Sequence, residues 1–214
     1  MRYKLIIFDL DGTLLDTLSD HQRAVNYIMK KYNYQKVNQE AVRKVLGNGL
    51  VNTISKLLPP NAIYENPHII EEFVSFYQEN ANIDTKPYPD ILKMLKALKR
   101  DGYTLCLCSN KRYNVVDELS KIYFSDLFTL IIGENEAKGI KKKPSPDMVC
   151  KLIDNLHIQK DKALYVGDSE VDYYTSIAAN IDCLLVSWGF RDKSFLKELS
   201  NNVIDLPMDI FDVL

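Results

Sequence analysis

The sequence lacks most of the features that would take it outside an ordinary water-soluble fold. Its 214 residues include only four cysteines, at positions 106, 108, 150 and 183. That spacing forms neither a Cys-x-x-Cys site nor a dense disulfide framework. Cys106 and Cys108 stand in an apolar run and share one face if it is a strand, which suits buried, reduced thiols in a cytosolic protein. Charge of one sign is not in excess. The formal net charge is −2, which argues against a general binder of nucleic acid or other polyanions. Long apolar runs are missing as well. Met1-Arg2-Tyr3-Lys4 is followed by only four apolar residues, too few for the core of a signal peptide. No run approaches the roughly 20 residues needed to span a bilayer. There is no internal repeat and no low-complexity segment. The expectation is a soluble, cytoplasmic protein that binds neither nucleic acid nor membrane. Hydrophobic residues make up 46% of the chain, enough for one large domain or a core domain with an insert.

What is present is organised around Leu5-Ile6-Ile7-Phe8-Asp9-Leu10-Asp11-Gly12-Thr13. Four apolar residues ended by a turn signal predict a strand buried on both faces. Asp9 then stands where the strand leaves the core, with Asp11 displaced into the turn. Gly12 permits a sharp bend and lets its backbone N–H approach a ligand closely. Two carboxylates held together require a cation or a shared proton, and a hard cation such as Mg²⁺ takes oxygen ligands of this kind.

Residues 14–84 change character. Leu18, His21, Val25, Ile28 and Met29 recur at helical spacing, as do Ile54, Leu57 and Leu58, and then Ile69, Ile70, Phe73, Val74 and Tyr77. Pro59-Pro60 and Pro67 separate these pieces. An α/β rhythm resumes from Pro87, with strands expected over 103–108, 127–132, 163–166 and 183–186 and helical stripes between them. The expected fold class is α/β, a Rossmann-like doubly wound parallel sheet with an inserted α-helical cap. The core is expected over residues 1–14 and 85–214, and the cap over 15–84. Asp9 with Asp11, Ser109 with Asn110, and Asp168 all fall at carboxyl ends of expected strands. Ligands bind outside those ends in open α/β sheets.

Asp9-Leu10-Asp11-Gly12-Thr13, Ser109-Asn110-Lys111, Lys143-Pro144 and Gly167-Asp168-Ser169-Glu170-Val171-Asp172 stand in the order of the motifs of haloacid dehalogenase-like hydrolases. The chain resembles that family over essentially its whole length. The resemblance implies that Asp9 is a nucleophile attacking a phosphate monoester. Asp11 is then the general acid to the leaving alkoxide and later the base that activates water. It implies Mg²⁺ on the Asp9 carboxylate, the Asp11 backbone carbonyl and Asp168. Ser109 and Lys143 would hold the phosphoryl oxygens, with the N–H groups of Gly12 and Asn110 adding to the cradle. Asp172 would orient Lys143 or a metal-bound water. The implied partner is a small phosphorylated metabolite, and no oligomeric state is specified.

Leu46-Gly47-Asn48-Gly49-Leu50 and Ser187-Trp188-Gly189-Phe190-Arg191 resemble segments of phosphoglycolate phosphatases. The expected activity is therefore Mg²⁺-dependent hydrolysis of 2-phosphoglycolate or a similar small ester, with Gly47, Asn48 and Gly49 as a substrate loop of the cap. Arg43, Lys44 and Arg191 are candidates to read the leaving group by charge alone. The alternatives are a phosphosugar mutase resembling β-phosphoglucomutase, supported by His21, and a phosphoaspartate signalling module without turnover. Lys111, Lys141 and Lys142 are expected on the surface, and His21 is expected to face solvent from its helix. His68 and His157 are given no role.

Overall fold

The computed structural model describes residues 1–135 and 139–214. The chain divides into two compact units, one formed by Met1–Leu15 and Pro87–Leu214, the other by Asp16–Lys86.

The first unit is built on a six-stranded sheet. Its strands are β1 (Leu5–Phe8), β4 (Thr104–Arg112), β5 (Leu130–Glu134), β6 (Ala163–Gly167), β7 (Asp182–Val186) and β8 (Val203–Ile204). Their order is β5-β4-β1-β6-β7-β8, and every pairing is parallel. Parallel neighbours need crossovers, and α6 (Ile91–Arg100), α7 (Tyr113–Phe124), α8 (Asp147–Leu156), α9 (Glu170–Ala179) and α10 (Lys193–Leu199) supply helices on both faces. Period-2 alternation sorts the side chains. Ile6, Phe8, Leu105, Leu107, Leu164 and Val166 pack with α6 and α7 on one face. Leu5, Ile7, Cys106, Cys108, Ala163 and Tyr165 pack with α8 on the other. Cys106 and Cys108 are thus buried free thiols on one face. Burial pushes each of them up to about 12.

Strand order fixes where a ligand can enter. From β1 the chain moves outward to β4 and β5, then returns to β6 on the far side of β1 and continues to β7 and β8. The order therefore reverses between β1 and β6, and the crevice at such a reversal is the usual ligand site of an open α/β sheet.

Between β1 and β4 lies the helical unit: α1 (Leu18–Lys31), α2 (Gln39–Val45), α3 (Leu50–Leu57), α4 (Ala62–Glu65) and α5 (Ile69–Asn80). The chain passes out at β2 (Leu15–Asp16) and returns at β3 (Lys86–Pro87), two short strands that pair with each other. Val25, Ile28 and Met29 of α1 meet Ile54, Ile69, Phe73 and Tyr77 in a separate apolar core. His21 departs from the expected solvent-facing position. It is buried, stacks on Tyr77 at 4.4 Å between ring centroids, and its Nε2 lies 3.1 Å from the Tyr77 hydroxyl. The buried Asp20 carboxylate accepts from the amides of Asp84 and Thr85 and from the Thr85 hydroxyl, and pairs with Arg23. No helix among the described residues is long and apolar enough to cross a membrane.

Candidate active site

Asp9 follows β1 and Asp168 follows β6, so the two acids stand on either side of the reversal point. Pairing of Phe8 with both Leu107 and Val166 sets the level. The Asp9 amide continues the ladder by donating to the Val166 carbonyl at 2.9 Å. Asp172 is brought in by α9. Ser169 caps that helix, and the Asp172 carboxylate turns back onto the amides of Asp168 and Ser169 at 3.2 Å and onto the Ser169 hydroxyl at 2.7 Å. This is a capping box, which ties an acid of the first helical turn to the turn before it.

Lys143 enters the same space from the loop before α8. Its Nζ donates to Asp9 Oδ1 at 2.7 Å and to Asp172 Oδ1 at 2.7 Å, and lies 3.0 Å from the Tyr165 hydroxyl. Its backbone is held by a side chain of β4: Lys143 N–H donates to Asn110 Oδ1 at 2.7 Å, and Asn110 Nδ2 donates to the Lys143 carbonyl at 3.0 Å. Ser109, also from β4, is buried, and its Oγ accepts from the Lys111 amide at 3.1 Å.

Asp168 sits in a cradle without room for side chains. Gly12 has φ +88°, and a Cβ there would lie 2.4 Å from Asp168 Oδ2. A Cβ on Gly189 would lie 2.4 Å from the Gly12 carbonyl oxygen and from Asp168 Cβ. Only glycine allows backbone to pass this close. The Thr13 hydroxyl donates to Asp168 Oδ1 at 3.2 Å, and the Phe190 amide donates to Oδ2 at 2.7 Å. Trp188 Nε1–H fastens the same loop by donating to the Thr13 carbonyl at 3.0 Å.

The structure departs from the sequence reading at several residues. The Gly12 N–H donates to the Leu15 carbonyl at 2.9 Å, which takes it out of an anion cradle and makes Gly12 a residue of close approach instead. Arg191 is not a free surface charge. Its Nε and an Nη grip both oxygens of Glu170 at 2.6 and 2.9 Å. Lys111 is buried, with Nζ 2.7 Å from Asp11 Oδ1. Tyr165, which alternation alone assigns to the core, carries its hydroxyl into the cluster. Lys141 and Lys142 are exposed, and Arg43 and Lys44 both pair with Glu40. Gly47, Asn48 and Gly49 belong to the helical unit, at the entry to α3, where Gly47 and Gly49 have φ +108° and +85°.

The electrostatics of the cluster are unbalanced. Carboxylate oxygens of Asp9, Asp168 and Asp172 lie within 4.8 Å of one another, and among the described residues only the Lys143 ammonium forms an ion pair with any of them. With all three acids ionised, three negative charges against one positive would leave an excess of two. Burial, aided by Asp172 and Asp168 and opposed by Lys143, raises Asp9 well above the usual carboxylate range. Burial and the neighbouring Asp172 push Asp168 up to about 7. Burial disfavours the charge of Lys143, but Asp172 and Asp9 outweigh it and hold its pKa above the ordinary lysine value. A hard divalent cation would cancel the excess, and the all-oxygen donor set suits one. Asp172 already accepts from five protein donors, against two on Asp168 and one on Asp9 among the described residues, so Asp9 and Asp168 keep more lone-pair capacity to hold it.

The Asp168 shift has a measurable consequence. A folded-state pKa raised from 3.8 to about 7 means that the folded protein keeps a proton the unfolded chain releases. The associated stability is complete below pH 3.8 and is lost as pH rises through about 7. Metal-free protein is therefore expected to lose stability as pH rises across that window. Its Tm should fall between about pH 4 and 7 and level off above that, and the slope should flatten in Asp168→Asn. Calorimetry in chelator checks both, and a Tm independent of pH in the unsubstituted protein would contradict the assignment.

A cluster of buried acids and one ammonium, at the reversal point of a parallel sheet, marks the polar site of an α/β enzyme. The haloacid dehalogenase-like hydrolase family matches residues 6–186, and the chain is a hydrolase of that family. Among its relatives is the phosphoglycolate phosphatase of Aquifex aeolicus, 35% identical over 94% of this chain and 99% of the relative. The phosphoglycolate phosphatase of Aliivibrio fischeri is 31% identical over 99% of this chain and 94% of its own. A crystal structure from Lactobacillus delbrueckii subsp. bulgaricus, whose name carries phosphoglycolate phosphatase as a provisional assignment, superposes with a TM-score of 0.92. It is 30% identical over 100% of this chain and 98% of its own.

Proposed function

We propose that this hydrolase is a Mg²⁺-dependent phosphoric monoester hydrolase that cleaves 2-phosphoglycolate or a similar small anionic ester through an aspartyl-phosphate on Asp9. The observation that carries the reading is the Lys143 ammonium placed 2.7 Å from both Asp9 and Asp172 in a buried cluster of three acids. The names of the two curated relatives support the substrate.

With Lys143 on Oδ1 of Asp9, Oδ2 is the attacking atom. It forms a bond to phosphorus as the bond to the leaving alkoxide breaks, and Asp11 gives that alkoxide its proton. Asp11 then takes a proton from water, which attacks phosphorus, releases inorganic phosphate and restores Asp9. Mg²⁺ held by Asp9, Asp168 and the Asp11 carbonyl would offset repulsion between carboxylate and phosphate. Ser109 and Lys143 hold the phosphoryl oxygens, and Asn110 fixes the Lys143 backbone that makes this possible. Asp172 keeps the ammonium aimed, and the helical unit serves as the cap. The buried stacking of His21 on Tyr77 accounts for that histidine without a mutase role.

Phosphate release from a panel of esters tests the reading. 2-Phosphoglycolate is expected to give the highest kcat/KM, release should stop in excess chelator, and Mg²⁺ should restore it. No phosphate release from any ester, or full activity in chelator, would reject it.

A further inference from the structure

Lys111 is the second of only two lysines buried among the described residues, the other being Lys143. The mechanism above uses Lys143 and leaves Lys111 without a part. Its position is built. Between Cys108 and Arg112 the pairing of β4 with β5 slips out of register, and such a bulge re-aims the side chains it carries. Here it buries both Ser109 and Lys111 and leaves Asn110 half-exposed between them. The Lys111 amide is tied to Ser109 Oγ at 3.1 Å, and its Nζ reaches Asp11 Oδ1 at 2.7 Å. The Lys111 side chain is 3% exposed and that of Asp11 is 19%, against 1% for Asp172. The Asp11 end of the pair is therefore the more accessible one, above Asp9 at 10% and Asp172 at 1%.

We propose that Lys111 is a specificity-determining residue of the core unit, an ammonium that binds an anionic group on the leaving alcohol. The inference rests on the phosphatase reading and deepens it. In that reading Asp11 must come within hydrogen-bond reach, about 2.6–3.2 Å, of the ester oxygen. An ammonium 2.7 Å from Asp11 Oδ1 then stands beside the leaving group rather than beside the phosphoryl oxygens. In a glycolate leaving group the carboxylate carbon is two bonds from the ester oxygen, so a carboxylate oxygen reaches Nζ while Asp11 reaches the ester. Orientation of Asp11 alone would be served by a neutral amide or hydroxyl donor. Burying a full positive charge is costly, and it gains purpose where a second anion arrives. A neutral alcohol of equal length offers this ammonium a hydroxyl acceptor at most and no opposite charge.

The test compares two matched pairs of ligands on intact protein with Mg²⁺. One pair is the substrates 2-phosphoglycolate and 2-hydroxyethyl phosphate. The other is the inert phosphonates 3-phosphonopropionate and propylphosphonate, whose Kd values come from calorimetry. The unsubstituted protein should favour the carboxylate-bearing member of each pair by about ten- to a hundred-fold, the strength of a charge-assisted hydrogen bond. In Lys111→Gln that ratio should collapse toward one, with the loss falling on KM and Kd, while Lys111→Arg should retain most of it. If Lys111 only orients Asp11, both substrates lose kcat alike, the ratio survives, and the proposal is overturned. Equal binding of the two phosphonates to the unsubstituted protein overturns it as well, without any variant, and so covers a Gln variant that does not fold. If the unsubstituted protein releases phosphate from both esters without preference, the specificity role fails and the phosphatase reading stands. If it releases none from either, the phosphatase reading fails first.

Discussion

Asp9→Asn is expected to lower phosphate release by about 10⁴-fold or more, the scale seen when a nucleophile is removed from machinery that acts as a unit. A neutral amide is isosteric with the carboxylate but cannot supply the attacking lone pair and charge, so the loss should fall on kcat. The fold should survive. Asp9 is buried, and burial together with Asp172 and Asp168 holds its pKa well above the usual range, so its charge is a burden on the folded state. The substitution deletes one of three crowded carboxylates. Lys143 keeps Asp172 at 2.7 Å and the Tyr165 hydroxyl at 3.0 Å. Tm in metal-free buffer near pH 8 should therefore be unchanged or higher. Residual activity within tenfold of the unsubstituted enzyme would remove Asp9 from the role of nucleophile. Lost activity with a collapsed Tm would show instead that the ion pair with Lys143 is structural.

The same local physics explains what the sequence disclosed and what it hid. Asp9 and Asp168 were legible because each stands at the end of a short apolar run closed by a turn signal, a pattern that reads as a strand buried on both faces. Polar residues at the ends of such strands have one place to go. Lys111 was illegible because a lone lysine in the polar segment after a strand is usually solvated, and nothing in Ser109-Asn110-Lys111 announces the bulge that buries it. Tyr165 was hidden by its own pattern. It alternates correctly into the core, and only its hydroxyl distinguishes it from the phenylalanine that would pack there equally well. The third expected strand, 127–132, starts three residues ahead of the observed β5. Phe128 is drawn out of the sheet into edge-to-face contact with Phe124 at 5.5 Å and Phe8 at 6.4 Å, and β5 begins at Leu130. β8 has two residues, too few for any period to register. Short α2 buries only Val42 and short α10 only Leu196, so neither shows a stripe.

Three consecutive lysines make the sharpest contrast between sequence and structure. Lys141, Lys142 and Lys143 are chemically identical, yet the first two are exposed and the third is buried between two acids. Lys143→Met keeps most of the length and the unbranched apolar stem of the side chain and deletes the charge. It leaves Asp9 and Asp172 buried without their ammonium, and breaking a buried pair in this way costs about 3–5 kcal/mol. For a chain of this size each kcal/mol moves Tm by roughly 2–4 °C, so a fall on the order of 10 °C is expected near pH 8. Part of it should be recovered at pH 5, where the raised carboxylates take up protons and no longer need a counter-charge. Phosphate release should be lost at temperatures where the variant is folded, because the donor that steadies the phosphoryl oxygens is gone. Lys141→Met, two residues away and exposed, should change stability by no more than about 0.5 kcal/mol. Thermal melts of the two variants at both pH values, with activity measured below the lower Tm, decide the matter. Indistinguishable melts would mean that Lys143 is not the counter-charge on which the acid cluster depends.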